Sequence, residues 1–391
     1  MELKHWSKYL LNSKSIFTAF VLVIYTSSII FVGVIWPSVN ESRYVEERLS
    51  RLFRYEREQL YSIYRGTSTI RDLNMDDLSN LVAERKADGH HVSFKPCPET
   101  PPGLVGKLNI SIHNITESVT NQDSLRRVVY GGRFKPDCIA RERTAIIIPY
   151  RDRAEHLDIL TRHLHNILQR QQLEYRIFVI EIALPTQFNR GILANIGVVI
   201  AKESGNFSCF IIHDVDLLIM NDANLYRCGS QPRHLVTGNT KYGTKDNTYG
   251  LPYEAYMSGV IALTDNQYRE ANGFSNVYFG WGGEDDDFSV RVNRAGMKFV
   301  RPEKDIGIYM AMPHNKDSTN PINHARLGML QAAAVRNKIE GINSFYNNIQ
   351  RIKYKRYAIE YRQYYTWILL CVDEAAILKQ FEKYLGESLA V

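Results

Sequence analysis

The chain has 391 residues, 45% hydrophobic and 23% charged, enough for one large or two moderate folded units. Its formal net charge of +6 is the small excess of 48 lysines and arginines over 42 acids. There is no arginine-rich run, zinc-finger spacing or RNA-binding signature, so nucleic acid is not an expected partner.

Residues 16–36 read IFTAFVLVIYTSSIIFVGVIW, an uncharged stretch long enough to cross a bilayer as a helix. Lys4, Lys8 and Lys14 precede it, and Glu41, Glu46 and Glu47 follow among mixed charges. The basic side stays cytoplasmic, which predicts a cytoplasmic tail over 1–15, a signal anchor over 16–36 and a lumenal remainder. A cleaved signal peptide is the competing reading, but the apolar run is long for one and no small-x-small site ends it. Residues 37–95 are polar and charge-rich and read as a lumenal stem, either a short amphipathic helix or a disordered tether. Lumenal placement agrees with glycosylation sequons at Asn40, Asn109, Asn114 and Asn206. It also agrees with five cysteines, of which four can pair in an oxidising compartment. Sequence alone does not fix the pairing; the simplest unnested choice is Cys97–Cys138 with Cys209–Cys228, leaving Cys371 over.

Pro96, Pro98, Pro101 and Pro102 mark a change of composition and a domain boundary. From Arg143 the pattern becomes α/β. Thr144–Pro149 is a buried-type strand, and 156–171 is a helix with Leu157, Leu160, Leu164 and Leu168 on one face. Strands at 175–182 and Cys209–His213 flank a second helix over 188–203. This alternation predicts a parallel sheet with right-handed crossovers and a ligand at the carboxyl ends of its strands. Residues 365–373 read as a final strand that buries Cys371, and 374–389 as an amphipathic C-terminal helix.

Two motifs carry chemistry. Asp214-Val-Asp216 follows an apolar strand and offers two carboxylates from one turn, a hard-oxygen site for Mg²⁺ or Mn²⁺ carrying a diphosphate. Gly280-Trp-Gly-Gly-Glu-Asp-Asp-Asp287 sets an aromatic face between glycines and follows it with four mutually repelling acids. As scaffold, the second motif would be an acidic helix start. Tyr150, Arg151 and Arg153 close the first strand at the same sheet edge, with groups suited to a nucleotide.

Pro149-Tyr-Arg-Asp-Arg153, Phe188-Asn-Arg190, Asp214-Val-Asp216, Leu251-Pro-Tyr253 and the acidic motif occur in an order and spacing that resemble the β-1,4-galactosyltransferase family (glycosyltransferase family 7). The resemblance covers about 97–373. It implies a GT-A nucleotide-sugar fold (a Rossmann-like, mostly parallel sheet flanked by helices) as a catalytic domain over 96–373. It also implies a 374–391 extension outside the resemblance, type II Golgi membrane topology and the two disulfides above. Carried across, Pro149, Tyr150, Arg151, Arg153, Phe188, Arg190, Asp214, Val215, Lys241, Tyr253, Tyr256 and Gly259 line the UDP-sugar pocket. Asp216 and His314 bind Mn²⁺. Trp281, Gly283, Glu284, Asp285, Arg326, Leu327 and Leu330 hold the acceptor. Asp285 is the general base, Glu284 orients the sugar and Trp281 stacks near it. The implied reaction is a single inverting displacement. The 312–323 stretch is similar to the family's mobile loop, which closes after donor binding.

The chain also departs from the pattern. Ala311 stands where many relatives carry a metal-binding methionine, which leaves Met312 as the thioether near enough to substitute. Tyr278-Phe279 replaces a pair in which a tryptophan is common, Met257-Ser258 replaces an aromatic-glycine pair, and leucine replaces a common phenylalanine in the acceptor pocket. Tyr256 matches the position where tyrosine favours UDP-galactose. Galactose transfer to the 4-hydroxyl of terminal β-N-acetylglucosamine, on a glycoprotein or glycolipid, is therefore the expectation. Transfer of N-acetylgalactosamine to the same acceptor is the alternative, and a non-catalytic nucleotide-sugar or glycan-binding protein ranks below both. A homodimer, if formed, would use the stem or membrane span.

Overall fold

The computed structural model describes residues 95–110, 122–243, 249–314, 319–346 and 351–385. The expected anchor at 16–36, the stem before Lys95, and Asn40 and Asn114 lie outside these residues. The described residues fall in one compact unit, Leu73–Val391. No helix among them is long and apolar enough to cross a membrane.

A short helix α1 (Gln122–Arg126) and strand β1 (Arg133–Phe134) lead into the alternating segment. It comprises β2 (Arg143–Tyr150), α2 (Ala154–Arg170), β3 (Glu174–Ile182), α3 (Arg190–Ser204) and β4 (Cys209–His213). These strands are buried along almost their whole length, as unbroken apolar runs require when both sheet faces are covered. Leu157, Leu160, Leu164 and Leu168 are the buried stripe of α2. Helix α3 starts at Arg190 rather than 188 because the Asn189 side chain accepts the Ile192 N–H at 2.9 Å and caps it. Its close approach to β2 needs Gly197, where a Cβ would lie 2.4 Å from Ile147 Cγ2.

The chain continues through β5 (Leu217–Ile219), β6 (Arg233–His234), β7 (Gly238–Gly243), β8 (Tyr249–Gly250), β9 (Val260–Thr264) and α4 (Asp265–Glu270). Then come α5 (Glu284–Arg294), β10 (Ile308–Ala311), α6 (Arg326–Gln331), α7 (Ala333–Arg336), β11 (Tyr354–Tyr361), β12 (Thr366–Val372) and α8 (Glu374–Phe381). The main sheet runs β11-β12-β3-β2-β4-β9-β6, with β1 against β3. Only β12-β3-β2-β4 pair in parallel. The flanking pairs, β11 on β12 and β4-β9-β6, are antiparallel, so the expected parallel sheet is the centre of a mixed one.

A smaller sheet, β5-β10-β7-β8, lies beyond the Asp214-Val-Asp216 turn. The final strand and the following helix occur as expected, but α8 ends at Phe381 and a 3₁₀ turn spans Glu382–Tyr384. Cys371 is half-buried rather than buried. It lies near the end of β12, beside the edge strand β11, with its sulfur 3.1 Å from the Tyr357 hydroxyl. Disulfides join Cys97 to Cys138 and Cys209 to Cys228. Asn109 and Asn206 are exposed.

Candidate active site

Adjacent parallel strands β2 and β4 end side by side, with Ile147 opposite Ile212. This brings the Tyr150–Arg153 and Asp214–Asp216 segments to one edge of the sheet. Strand β5 leaves the second segment and pairs with β10, with Leu217 opposite Ala311. That register carries His314 to Asp216 across 98 residues of sequence: His314 Nε2 lies 3.3 Å from Asp216 Oδ2. Arg153 Nη2 lies 3.4 Å from His314 Nδ1, and His156 Nε2 donates to the Pro313 carbonyl at 3.2 Å. Burial alone would raise the Asp216 carboxyl, but the hydrogen bond and charge of His314 hold it below the ordinary value. The Met312 N–H donates to the Asp216 carbonyl at 2.8 Å, and the Met312 side chain is buried.

Asp214 faces the other way. Its Oδ1 accepts from Arg190 Nε at 2.6 Å, and Ser258 Oγ is 3.5 Å from its Oδ2. Burial pushes the Asp214 carboxyl up, with Arg190 opposing. Arg190 Nη1 and Nη2 are buried without a hydrogen-bond partner. Burial would favour a neutral Arg190, but the charges of Asp214, Glu284 and Asp285 outweigh it and hold the guanidinium protonated. Arg190 therefore stands electrostatically between the two acidic motifs. Its guanidinium also lies 5.4 Å from the Phe274 ring centroid.

The walls are built locally. Tyr150 accepts the Arg153 N–H at its hydroxyl (3.1 Å). Arg151 donates to the carbonyls of Thr186 and Thr319, both at 2.7 Å, and its guanidinium is 5.4 Å from the Phe188 ring. Pro149 and Tyr150 are buried at the end of β2, while Val215 is half-buried between the two aspartates. Gly259 adopts φ 101°, and its carbonyl accepts the Asp214 N–H at 2.9 Å; a Cβ there would meet Leu217 at 2.8 Å. Tyr256 is framed edge-on by Tyr253 (5.5 Å), Tyr242 (6.2 Å) and His234 (6.3 Å). Lys241 is exposed, with its ammonium 5.6 Å from the Tyr242 ring.

Gly283, at φ 96°, ends the glycine-rich turn and starts α5, so all four acids occupy the first turn of the helix. Their mutual repulsion is resolved by giving each a different environment. One oxygen of Glu284 is buried and unpartnered; burial first, then the charge of Asp285, raises its pKa, against Arg190. Asp285 Oδ1 accepts the Asp286 N–H at 3.0 Å. Asp286 accepts from the Tyr253 hydroxyl at 2.8 Å, which ties the Tyr256 segment to α5.

Asp287 points into the core, where Arg291, Arg336 and Tyr278 donate to it and where Glu340 binds both arginines. Trp281 is 58% exposed, and its backbone is held by Pro321 and Asn323 at 2.8 and 3.1 Å. Arg326 lies 5.8 Å from its ring. Leu327 is exposed and Leu330 half-buried on α6. Sequence reasoning did not single out Arg336, Glu340, His234 or Arg301. Isolated charges far from a motif carry no local signal of what they will meet.

A carboxylate and an imidazole 3.3 Å apart, both partly open to solvent, are a donor pair that suits a Mn²⁺-type ion. The only triplet of ligand type found among the described residues, Glu142 with Cys209 and Cys228, is tied up in a disulfide.

A family model for the N-terminal region of glycosyl transferase group 7 matches residues 97–229, and one for the N-terminal domain of galactosyltransferase matches 239–315. β-1,4-Galactosyltransferase 4 of Rattus norvegicus is 41% identical over 272 residues, covering 69% of this chain and 76% of that protein. β-1,4-Galactosyltransferase 3 of Cricetulus griseus is 45% identical over 250 residues, covering 63% and 62%. The crystal structure of the catalytic domain of Drosophila β-1,4-galactosyltransferase 7 with xylobiose is 28% identical. It covers 59% of this chain and 94% of that one at a TM-score of 0.49.

Proposed function

The chain belongs to the β-1,4-galactosyltransferase family, and from that membership and the site geometry we propose that it transfers galactose from UDP-galactose to the 4-hydroxyl of a terminal β-N-acetylglucosamine. The observation that carries this reading is Arg190, which is paired with Asp214 at 2.6 Å, keeps its two amino groups buried and unpartnered, and feels the charges of Glu284 and Asp285. A cation in that position joins a diphosphate-binding edge to an acid-bearing helix, as transfer between a nucleotide-sugar and a hydroxyl acceptor requires. We read the sheet accordingly as a GT-A fold.

Asp216 and His314 would hold a divalent cation, Mn²⁺ by their donor types, and such an ion neutralises charge on a departing diphosphate. The chain's own groups do the rest. Arg190 offers its free N–H groups to the donor, and Arg151 with Phe188 walls the pocket. The exposed Trp281 face and Arg326 receive the acceptor ring. Glu284, held toward its protonated form by burial, shares a hydrogen bond with an acceptor hydroxyl. Asp285 takes the proton of the attacking 4-hydroxyl. The new bond forms between that oxygen and the anomeric carbon as the bond to UDP breaks on the opposite face, so an α-linked donor gives a β product. Tyr256, enclosed by aromatic rings and near Asp214, limits room beside the sugar and favours galactose over N-acetylgalactosamine.

The two disulfides fit an oxidising compartment. With the lysines before 16–36, they support a single-pass type II protein of the Golgi membrane whose catalytic part is lumenal. Asp285→Asn tests the mechanism: transfer should fall about 10²–10⁴-fold while Mn²⁺-dependent UDP binding persists. Full activity in this variant sinks the assignment.

A further inference from the structure

Arg301 lies outside every motif considered above, yet it holds the backbone that presents Tyr256. Its own position is fixed because Val300 forms a strand-like bridge opposite Arg233. The Val300 N–H donates to the Pro232 carbonyl at 2.9 Å, and the His234 N–H donates to the Val300 carbonyl at 3.0 Å. From there Arg301 Nε donates to His234 Nδ1 at 2.9 Å, while Nη2 donates to the carbonyls of Glu254 at 2.9 Å and Tyr256 at 2.8 Å. His234 Nε2 in turn donates to the Ser258 carbonyl at 2.9 Å. Three alternate carbonyls, 254, 256 and 258, are thus tied by one guanidinium–imidazole pair, at the turn closed by the Tyr256 N–H on the Tyr253 carbonyl at 3.2 Å.

The imidazole is fully buried and kept neutral by desolvation, so it accepts at one nitrogen and donates at the other. Its ring also forms one side of the cage around Tyr256. On the opposite side of the segment, Tyr253 is bound to Asp286 on α5.

We propose that Arg301, seated on His234, is a positioning residue for donor selectivity: it keeps the Tyr256 wall from receding, and so excludes donors with a bulkier group beside the sugar ring. The inference rests on the reading of Tyr256 as the donor gate. A wall discriminates by sterics only if moving it costs more than the bulkier ligand gains. Here the cost is the loss of charge-assisted hydrogen bonds to two carbonyls. A lysine cannot replace them, because a single ammonium lacks the planar fork that reaches His234 and both carbonyls together.

The experiment measures kcat/KM for UDP-galactose and UDP-N-acetylgalactosamine in the parent, Arg301→Met, Arg301→Lys, Tyr256→Leu and Arg301→Met/Tyr256→Leu proteins, with melting temperatures alongside. Arg301→Met should lower the galactose preference by about tenfold, in the range a reshaped pocket wall produces. Arg301→Lys should lower it less, and that drop remains readable even if the methionine variant does not fold. In the Tyr256→Leu background, Arg301→Met should leave the ratio where Tyr256→Leu put it. Equal losses for both donors, with the ratio unchanged in both Arg301 variants, would overturn the proposal while leaving the gate intact. If Tyr256→Leu itself does not change the ratio, the gate reading fails first and takes the proposal with it.

Discussion

Arg336→Met tests the buried cluster behind the acidic helix. In the folded protein Asp287, Arg291, Arg336 and Glu340 have side chains with no solvent exposure and sum to zero charge. Arg336 donates to Asp287, to the Tyr278 hydroxyl at 2.9 Å and to the Met329 carbonyl at 2.7 Å, and its Nε lies 3.2 Å from Glu340. Methionine fills much of the same volume but leaves two carboxylates facing the single guanidinium of Arg291. Breaking a buried pair in this way costs about 3–5 kcal/mol. For a domain of roughly this size that is a fall of about 5–8 °C in melting temperature.

Adding Glu340→Gln restores charge balance: the amide oxygen can still accept from Arg291, although its NH2 then faces the Asn276 N–H that bonds the second Glu340 oxygen at 2.7 Å. Part of the loss should return. Because Asp287 sits about one turn along from Glu284 and two residues from Asp285, the single variant should also raise the acceptor KM more than the donor KM. Thermal melts of both variants and two-substrate kinetics decide this. A change below about 1 °C in Arg336→Met, or no recovery in the double variant, would refute the view that charge balance in this cluster holds the helix.

Three further outcomes are expected. Asp216→Asn and His314→Ala should each weaken Mn²⁺ binding to the donor-free protein by about tenfold or more, read by the EPR signal of free Mn²⁺; unchanged binding removes them as ligands. His163 and His165 are both buried, and desolvation lowers each pKa to about 4 from an unfolded value near 6.5. The unfolded chain therefore binds more protons between these values. The stability contributed by these two histidines should be complete above about pH 6.5 and fall below it by up to about 1.4 kcal/mol per pH unit for each. A urea midpoint that falls no more from pH 7 to pH 5 in the parent than in a His163→Gln/His165→Gln variant would contradict this. Gly191→Ala, in the first turn of α3 beside Arg190, would bring a Cβ to 2.4 Å from the Ser275 carbonyl oxygen. It should destabilise by about 1–3 kcal/mol despite alanine's better helix propensity, and an unchanged or raised melting temperature would refute the clash.

The alternating segment from β2 to β4 was legible because its apolar runs and its leucine period each have one satisfactory burial. The Asp-Val-Asp turn was legible for the same reason: a polar turn after a buried strand must emerge at the sheet edge. The disulfides followed from compartment, order and family resemblance. Strand polarity at the flanks was not legible, since an apolar strand reads the same in either direction; β9 returns antiparallel only because of where the chain re-enters after β6 to β8. Neither did four consecutive acids reveal that Asp287 turns into the core while Glu284 and Asp285 face the site. The distant Arg336 and Glu340 decide that, because helical phase alone leaves Asp287 on the side of Glu284, three residues before it.

By itself, then, the sequence determined which strands are buried, where the candidate polar motifs lie and which family they resemble, because these depend on local periodicity and on motifs read within a few residues. Only the tertiary structure decided which charges meet. The β5–β10 register joins Asp216 to His314, α3 brings Arg190 onto Asp214, and Arg301 reaches the backbone of Tyr256 from a strand-like segment 45 residues away. Each of these contacts is long-range, and its energy depends on burial and direction that no local stretch of sequence encodes.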